Sequence, residues 1–215
     1  MIRAARRVSE QVTEGPASKA RTQAARRDEA ERRILDAAAD IVAEGGFEAI
    51  TLAEAGARAG YSRGLPSHYF RTKDDLLSAL GVYVVQLFLT RRRRSDASGY
   101  DGLIESFRDY FRLPLENPTT VRAFHAVLAG ALNTPAIKAT VAELNRTSAA
   151  EIAAGIKIGI AAGQVRADID PDMQSVLILA TLRGTVAQWL ADPERIDLPR
   201  LGEDFIAMLK RSLAK

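Results

Sequence analysis

Cysteine is absent from the 215-residue chain, and His68 and His125 are its only histidines. Disulfides and thiolate metal sites are therefore excluded, and too few imidazoles remain for a histidine-based metal or catalytic cluster. An all-helical enzyme would need a nucleophile–base pair or a carboxylate–histidine metal set, and little here supplies either. No stretch approaches ~18 uninterrupted apolar residues, so no segment is expected to span a membrane. The first 33 residues carry charge throughout and contain no apolar block, so no secretory leader is expected. These absences point to a cytoplasmic protein with no catalytic residues, no metal and no cofactor. What remains is ordinary globular usage, with 47% hydrophobic and 27% charged residues.

The formal net charge is only +3, but it is unevenly spread. Residues 1–95 hold 17 Lys/Arg against 12 Asp/Glu, a balance of +5, and the remainder holds 13 against 15, a balance of −2. A basic front half joined to a mildly acidic back half suggests a phosphate-binding module attached to something else.

Residues 1–25 are polar and Arg-rich without apolar periodicity, which reads as a flexible arm, either a plain tail or one that follows a DNA backbone. From Asp28 the pattern is helical, with Ile34, Ala38, Ile41 and Val42 on one stripe and Gly45-Gly46 as its stop. Thr51 with Glu54 three residues on has capping-box spacing and opens a short second helix that ends at Gly60. Ser62 is the expected N-cap of a third, near 63–69, and Thr72 caps a long fourth. Further helices are expected at about 101–114 (stopping before Pro114), from Asn117-Pro118, from Thr134-Pro135 to about 162, from Asp170-Pro171 to about 191, and from Pro199 to about 213. No period-2 alternation persists. The expected fold is all-α with about nine helices.

Two short helices joined by a tight Gly turn have the form of a helix-turn-helix, seen in Thr51-Leu52-Ala53-Glu54-Ala55-Gly56-Ala57-Arg58-Ala59-Gly60-Tyr61-Ser62. Such a unit lays its second helix in a major groove ~12 Å wide while the first crosses the backbone. From Arg32-Arg33-Ile34-Leu35-Asp36-Ala37-Ala38 through Gly45-Gly46-Phe47 to Tyr69-Phe70-Arg71-Thr72-Lys73-Asp74-Asp75-Leu76-Leu77, residues 32–80 resemble the DNA-binding domain of the TetR family of bacterial transcriptional regulators. The run Gly159–Arg166 followed by Asp168–Pro171 is also similar to many members.

The resemblance implies a homeodomain-like helix-turn-helix domain over 26–75 and a helical ligand-binding and dimerisation domain over 76–215. It implies a ligand-responsive regulator, most simply a homodimeric repressor that binds a palindromic double-stranded DNA operator and is released by a small, largely apolar effector. Activation, non-inducible regulation and a helical adaptor without DNA binding remain as alternatives. By position, DNA contacts fall on Thr51, Ser62, Arg63, Leu65, Ser67, Tyr69 and Lys73, with His68 adjoining. Ser67 stands where the family often has tyrosine, and Pro66 and Gly56 are unusual inside short helices.

The candidate ligand pocket is Phe107, Tyr110, Phe111, Phe124 and His125, aromatic walls with one polar group. Arg108, Arg112 and Arg122 are the expected anchors for an acidic effector. The candidate dimer interface is Val176, Leu177, Ala180, Gly184, Phe205, Met208 and Leu209, on two apolar helices resembling the family's four-helix contact. Arg91-Arg92-Arg93-Arg94 reads as a solvated helix end whose cations complement the dipole.

Overall fold

The computed structural model describes residues 16–91 and 97–215. Among these residues there are eight α-helices, one short 3₁₀ turn and no strand. The helices are α1 (Pro16–Gly45), α2 (Leu52–Arg58), α3 (Lys73–Arg91), α4 (Gly99–Glu116), α5 (Pro118–Gly130), α6 (Pro135–Ala161), α7 (Pro171–Ala191) and α8 (Leu198–Leu213). Four start on the expected X-Pro signal, with proline at the first or second helical position where its missing N–H leaves nothing unpaired.

Three boundaries differ from the sequence reading. Helix α1 begins at Pro16, so residues 16–25 are helical where a flexible arm was expected; Pro16 presets φ, and Ala17, Ala20, Ala24 and Ala25 are strong helix formers. The rest of the expected arm, 1–15, lies outside the described residues, as do Arg92, Arg93 and Arg94. Helix α4 does not stop before Pro114 but carries it, buried, in its last turn. There the proline forfeits one hydrogen bond near an end that frays anyway, and Asn117 N still closes the turn on Leu113 O at 2.8 Å. The third expected helix is a single 3₁₀ turn, Leu65–His68, whose N-cap is Gly64 and not Ser62.

Helix α1 packs on α2, α3 and α5, while α3 runs on to pack against α5 and α6. Helix α4 lies against α6 and α8, and α6 against α7. The centre of the molecule is aromatic: Phe88 of α3 stacks on Phe124 of α5 with ring centroids 3.8 Å apart, and Tyr110 of α4 meets Phe88 edge-on at 5.8 Å. Phe205 of α8 packs between Phe107 and Phe111 at 6.0 and 5.6 Å. Phe205 and Leu209, expected at a dimer interface, are instead buried in this chain's own core, because their stripe faces α4.

Candidate nucleic-acid interface and ligand cavity

Thr51 caps α2 as expected, its Oγ1 accepting from Glu54 N at 3.1 Å. The helix closes in a Schellman arrangement, with Tyr61 N donating to Gly56 O at 2.9 Å and Gly60 N to Ala57 O at 3.1 Å. Gly60 adopts φ +79°, a conformation side-chain-bearing residues rarely take. The turn brings Pro66 directly over α2: a Cβ on Gly56 would lie 2.8 Å from the Pro66 ring and 2.9 Å from Ser62 O. Gly56 and Pro66, each odd alone in a short helix, therefore form one close contact. Because Pro66 supplies no N–H and the Gly60 turn leaves little room, the second element tightens into a 3₁₀ turn instead of two α-helical turns.

The next helix starts with a reciprocal cap. Asp75 N donates to Thr72 Oγ1 at 3.1 Å, and Thr72 N donates to Asp75 Oδ2 at 3.0 Å. Lys73 Nζ reaches Phe47 O at 3.2 Å, tying the start of α3 to the end of α1. Arg58 of α2 pairs with Glu44 of α1. Two guanidiniums of α1 cover aromatic rings of the following segment: Arg33 over Tyr61 at 5.1 Å and Arg27 over Tyr69 at 5.7 Å.

Thr51, Ser62, Arg63, Ser67, His68 and Lys73 are exposed, and Leu65 and Tyr69 are half-buried. Arg63 has no carboxylate partner among the described residues, which leaves its full donor fork presented outward.

The candidate pocket divides. Phe107, Tyr110 and Phe124 line an inner cavity between α3, α4, α5, α6 and α7, together with Phe88, Leu103, Ser106, Ser148, Glu151 and Arg183. Its volume is about 50 Å³. Phe111 faces a separate groove at α8, and His125 faces an outer cavity between α5, α6 and α7. They part from the others because neighbouring helical residues point about 100° apart. Burial, with Arg183 nearby, pushes the His125 imidazole down to about 4, and its Nε2 is buried with no hydrogen-bond partner. Burial likewise pulls the Arg183 guanidinium below its ordinary value.

The expected anchors Arg108 and Arg112 are already neutralised, Arg108 by Glu105 and Glu203, Arg112 by Asp109 at 2.5 Å and Glu116 at 3.4 Å. Arg122 is exposed. Arg183 is the cation that sequence reasoning missed. Its signal was available: it is the sole charge in α7 after Asp172.

Among the described residues no group of histidines and carboxylates is arranged to hold a metal, and no helix is long and apolar enough to cross a membrane.

A three-helix head with an exposed helix-turn-helix, mounted on a helical body with an aromatic cavity, defines a DNA-binding regulator that senses a ligand. Residues 34–80 match the bacterial regulatory proteins of the tetR family, and residues 101–214 match the C-terminal domain of BetI-type transcriptional repressors. The chain belongs to the TetR family and is a ligand-responsive transcriptional regulator. It is 22% identical over 191 residues to a fatty acid metabolism regulator protein of Bacillus subtilis, covering 82% of this chain and 92% of that one. The complex of triclosan with SmeT, the repressor of a Stenotrophomonas maltophilia multidrug efflux pump, superimposes with a TM-score of 0.72 at 25% identity, covering 86% of this chain and 92% of that one. FadR from Bacillus subtilis with stearoyl-CoA has the same fold, with a TM-score of 0.67 at 19% identity and 85% and 98% coverage.

Proposed function

We propose that the chain acts in the cytoplasm as a homodimeric repressor whose two polar faces enter successive major grooves of a palindromic operator. Arg63 reads a base edge, for which its unpaired fork suits guanine O6 and N7. Thr51, Ser62, Ser67, His68, Tyr69 and Lys73 hold the phosphates, and Leu65 touches a thymine methyl. The exposed side of α7 supports pairing: Met173, Val176 and Leu177 are each more than half exposed, as is Met208 of α8. Ala180 and Gly184 are exposed on the same helix, and a Cβ on Gly184 would meet nothing within 4 Å. Two such faces pack closely around a twofold axis.

The observation that carries the control step is the position of Phe88, which lines the inner cavity from the helix that begins at Lys73, one of the proposed phosphate contacts. A ligand entering the cavity acts directly on α3. A coupling of ~1–3 kcal/mol changes operator affinity roughly 5–150-fold, and DNA weakens ligand binding by the same factor. The test is selection of bound DNA fragments by the purified protein, then operator titration with each ligand that stabilises the protein in a thermal-shift screen. A palindromic site released at saturating ligand is expected. Stabilising ligands that leave operator affinity unchanged would overturn the control step.

A further inference from the structure

Arg183 is the one charged side chain shared by the two cavities, lining the inner aromatic one and the outer one beyond it. Its guanidinium donates to Asn145 Oδ1, and among the described residues no carboxylate pairs with it. Glu151 also lines the inner cavity, at an exposed position, but makes no ion pair with it. The outer cavity, about 480 Å³, is lined by Arg183, Lys138, His125, Asn145 and otherwise apolar side chains, with no acid among the described residues. A half-buried cation without a counter-charge is an expensive arrangement. Arg108 and Arg112 on α4 are, by contrast, each paired with two carboxylates.

We propose that the effector is an amphipathic carboxylate, its head held by Arg183 at the junction of the two cavities and its apolar tail seated among Phe88, Leu103, Phe107 and Phe124. This rests on the ligand-responsive reading above. The planar guanidinium fork matches a carboxylate in bidentate geometry, and Asn145 occupies only one of its donors. Lys138 adds a second positive charge at the outer wall, which His125 and Asn145 also line. A cationic head is repelled there, and a neutral head leaves the guanidinium uncompensated. The tail widens the inner cavity by displacing Leu89 and Leu179, the lining leucines that keep contact with solvent.

The probes are decanoate, decan-1-ol and decyltrimethylammonium, which share one tail and differ in the charge of the head. Calorimetric titration of the full chain is expected to give roughly tenfold or greater preference for decanoate over decanol, the scale of a charge-assisted hydrogen bond, and no binding of the ammonium. Arg183→Gln abolishes the preference while decanol affinity stays within about twofold, and Arg183→Lys restores part of it. Arg211→Gln, an exposed cation on α8 outside both cavities, leaves the decanoate and decanol affinities as they were. The proposal is overturned by equal wild-type affinities, by failure of both decanoate and decanol to bind, by a preference that survives Arg183→Gln, or by loss of both ligands together in that variant. Operator titration separates it from the regulatory reading. Arg183-dependent decanoate binding with unchanged operator affinity keeps the head site and removes the control step.

Discussion

Arg63 and Lys73 are both exposed but have different chemical settings, so under the proposed function their substitutions separate reading from holding. Arg63 presents an unpaired fork from the turn, and Arg63→Ala should cost ~1–3 kcal/mol and relax preference at one base position. Lys73 is anchored through Phe47 O at the start of a helix, and Lys73→Ala should weaken all sequences alike and lower the salt slope by about one. Competition titrations against a randomised site at several salt concentrations distinguish the two; an Arg63→Ala protein with wild-type preference would remove that residue's role. His125 sets a different test. Its folded value of about 4 lies below the ordinary 6.5, so the unfolded chain binds the proton more readily. That contribution to stability is complete above pH 6.5, falls as the pH drops towards 4, and is worth about 3 kcal/mol across the window. Urea unfolding of wild type and His125→Phe at pH 7 and pH 4 measures the difference; parallel losses in the two proteins would show that the imidazole is not held neutral by burial.

At the scale of elements, the starts marked by X-Pro pairs or hydroxyl caps were legible, while the start of α1, the cap of the 3₁₀ turn and the interior exceptions were not. X-Pro pairs and hydroxyl caps act through the nearest few backbone groups, so Thr51, Thr72, Asn117, Thr134 and Asp170 marked their helices from sequence. Pro114 and Pro66 depend on what lies across from them, which no local pattern reports. The same limit explains the site. Residues one position apart, Tyr110 and Phe111 or Phe124 and His125, were grouped by type but face different cavities. Phe205 and Leu209 formed a legible apolar stripe whose partner, α4 or a second chain, was not legible. Gly56 tests the contact between α2 and the 3₁₀ turn. Alanine gains ~1 kcal/mol in helix propensity, but its methyl would meet the Pro66 ring and a backbone carbonyl below 3.0 Å, neither able to yield cheaply. Overpacking at ~1–3 kcal/mol should win. Gly56→Ala is expected to lower the thermal midpoint and the operator affinity together; a raised midpoint would show that the contact has slack.

For the whole molecule, the proposed pairing is the property on which the proposed operator reading depends. Light scattering at micromolar concentration should give twice the 23.3 kDa chain mass. Leu177→Glu, on the exposed side of α7 and away from the core, should yield a folded monomer with weakened operator binding. A wild-type monomer, or a Leu177→Glu protein that remains dimeric, would move the pairing surface elsewhere.

Helix α3 is fastened at its N-terminal end by the Thr72–Asp75 cap and Lys73, and to α1 midway by the hydrogen bond from Tyr83 to Asp36. From Lys73 to Phe88 it is an uninterrupted rod of ~22 Å. Such a rod is a lever. A rotation of about 5° about Phe88 swings Lys73 through about 2 Å, while atoms beside the cavity move by tenths of an ångström. In a twofold pair the two swings oppose each other and change the separation of the heads by about 4 Å, slightly more than the ~3.4 Å rise of one base-pair step. In the proposed pair, a disturbance smaller than a bond length in the aromatic centre would thus shift the two reading heads by a whole rung of the duplex.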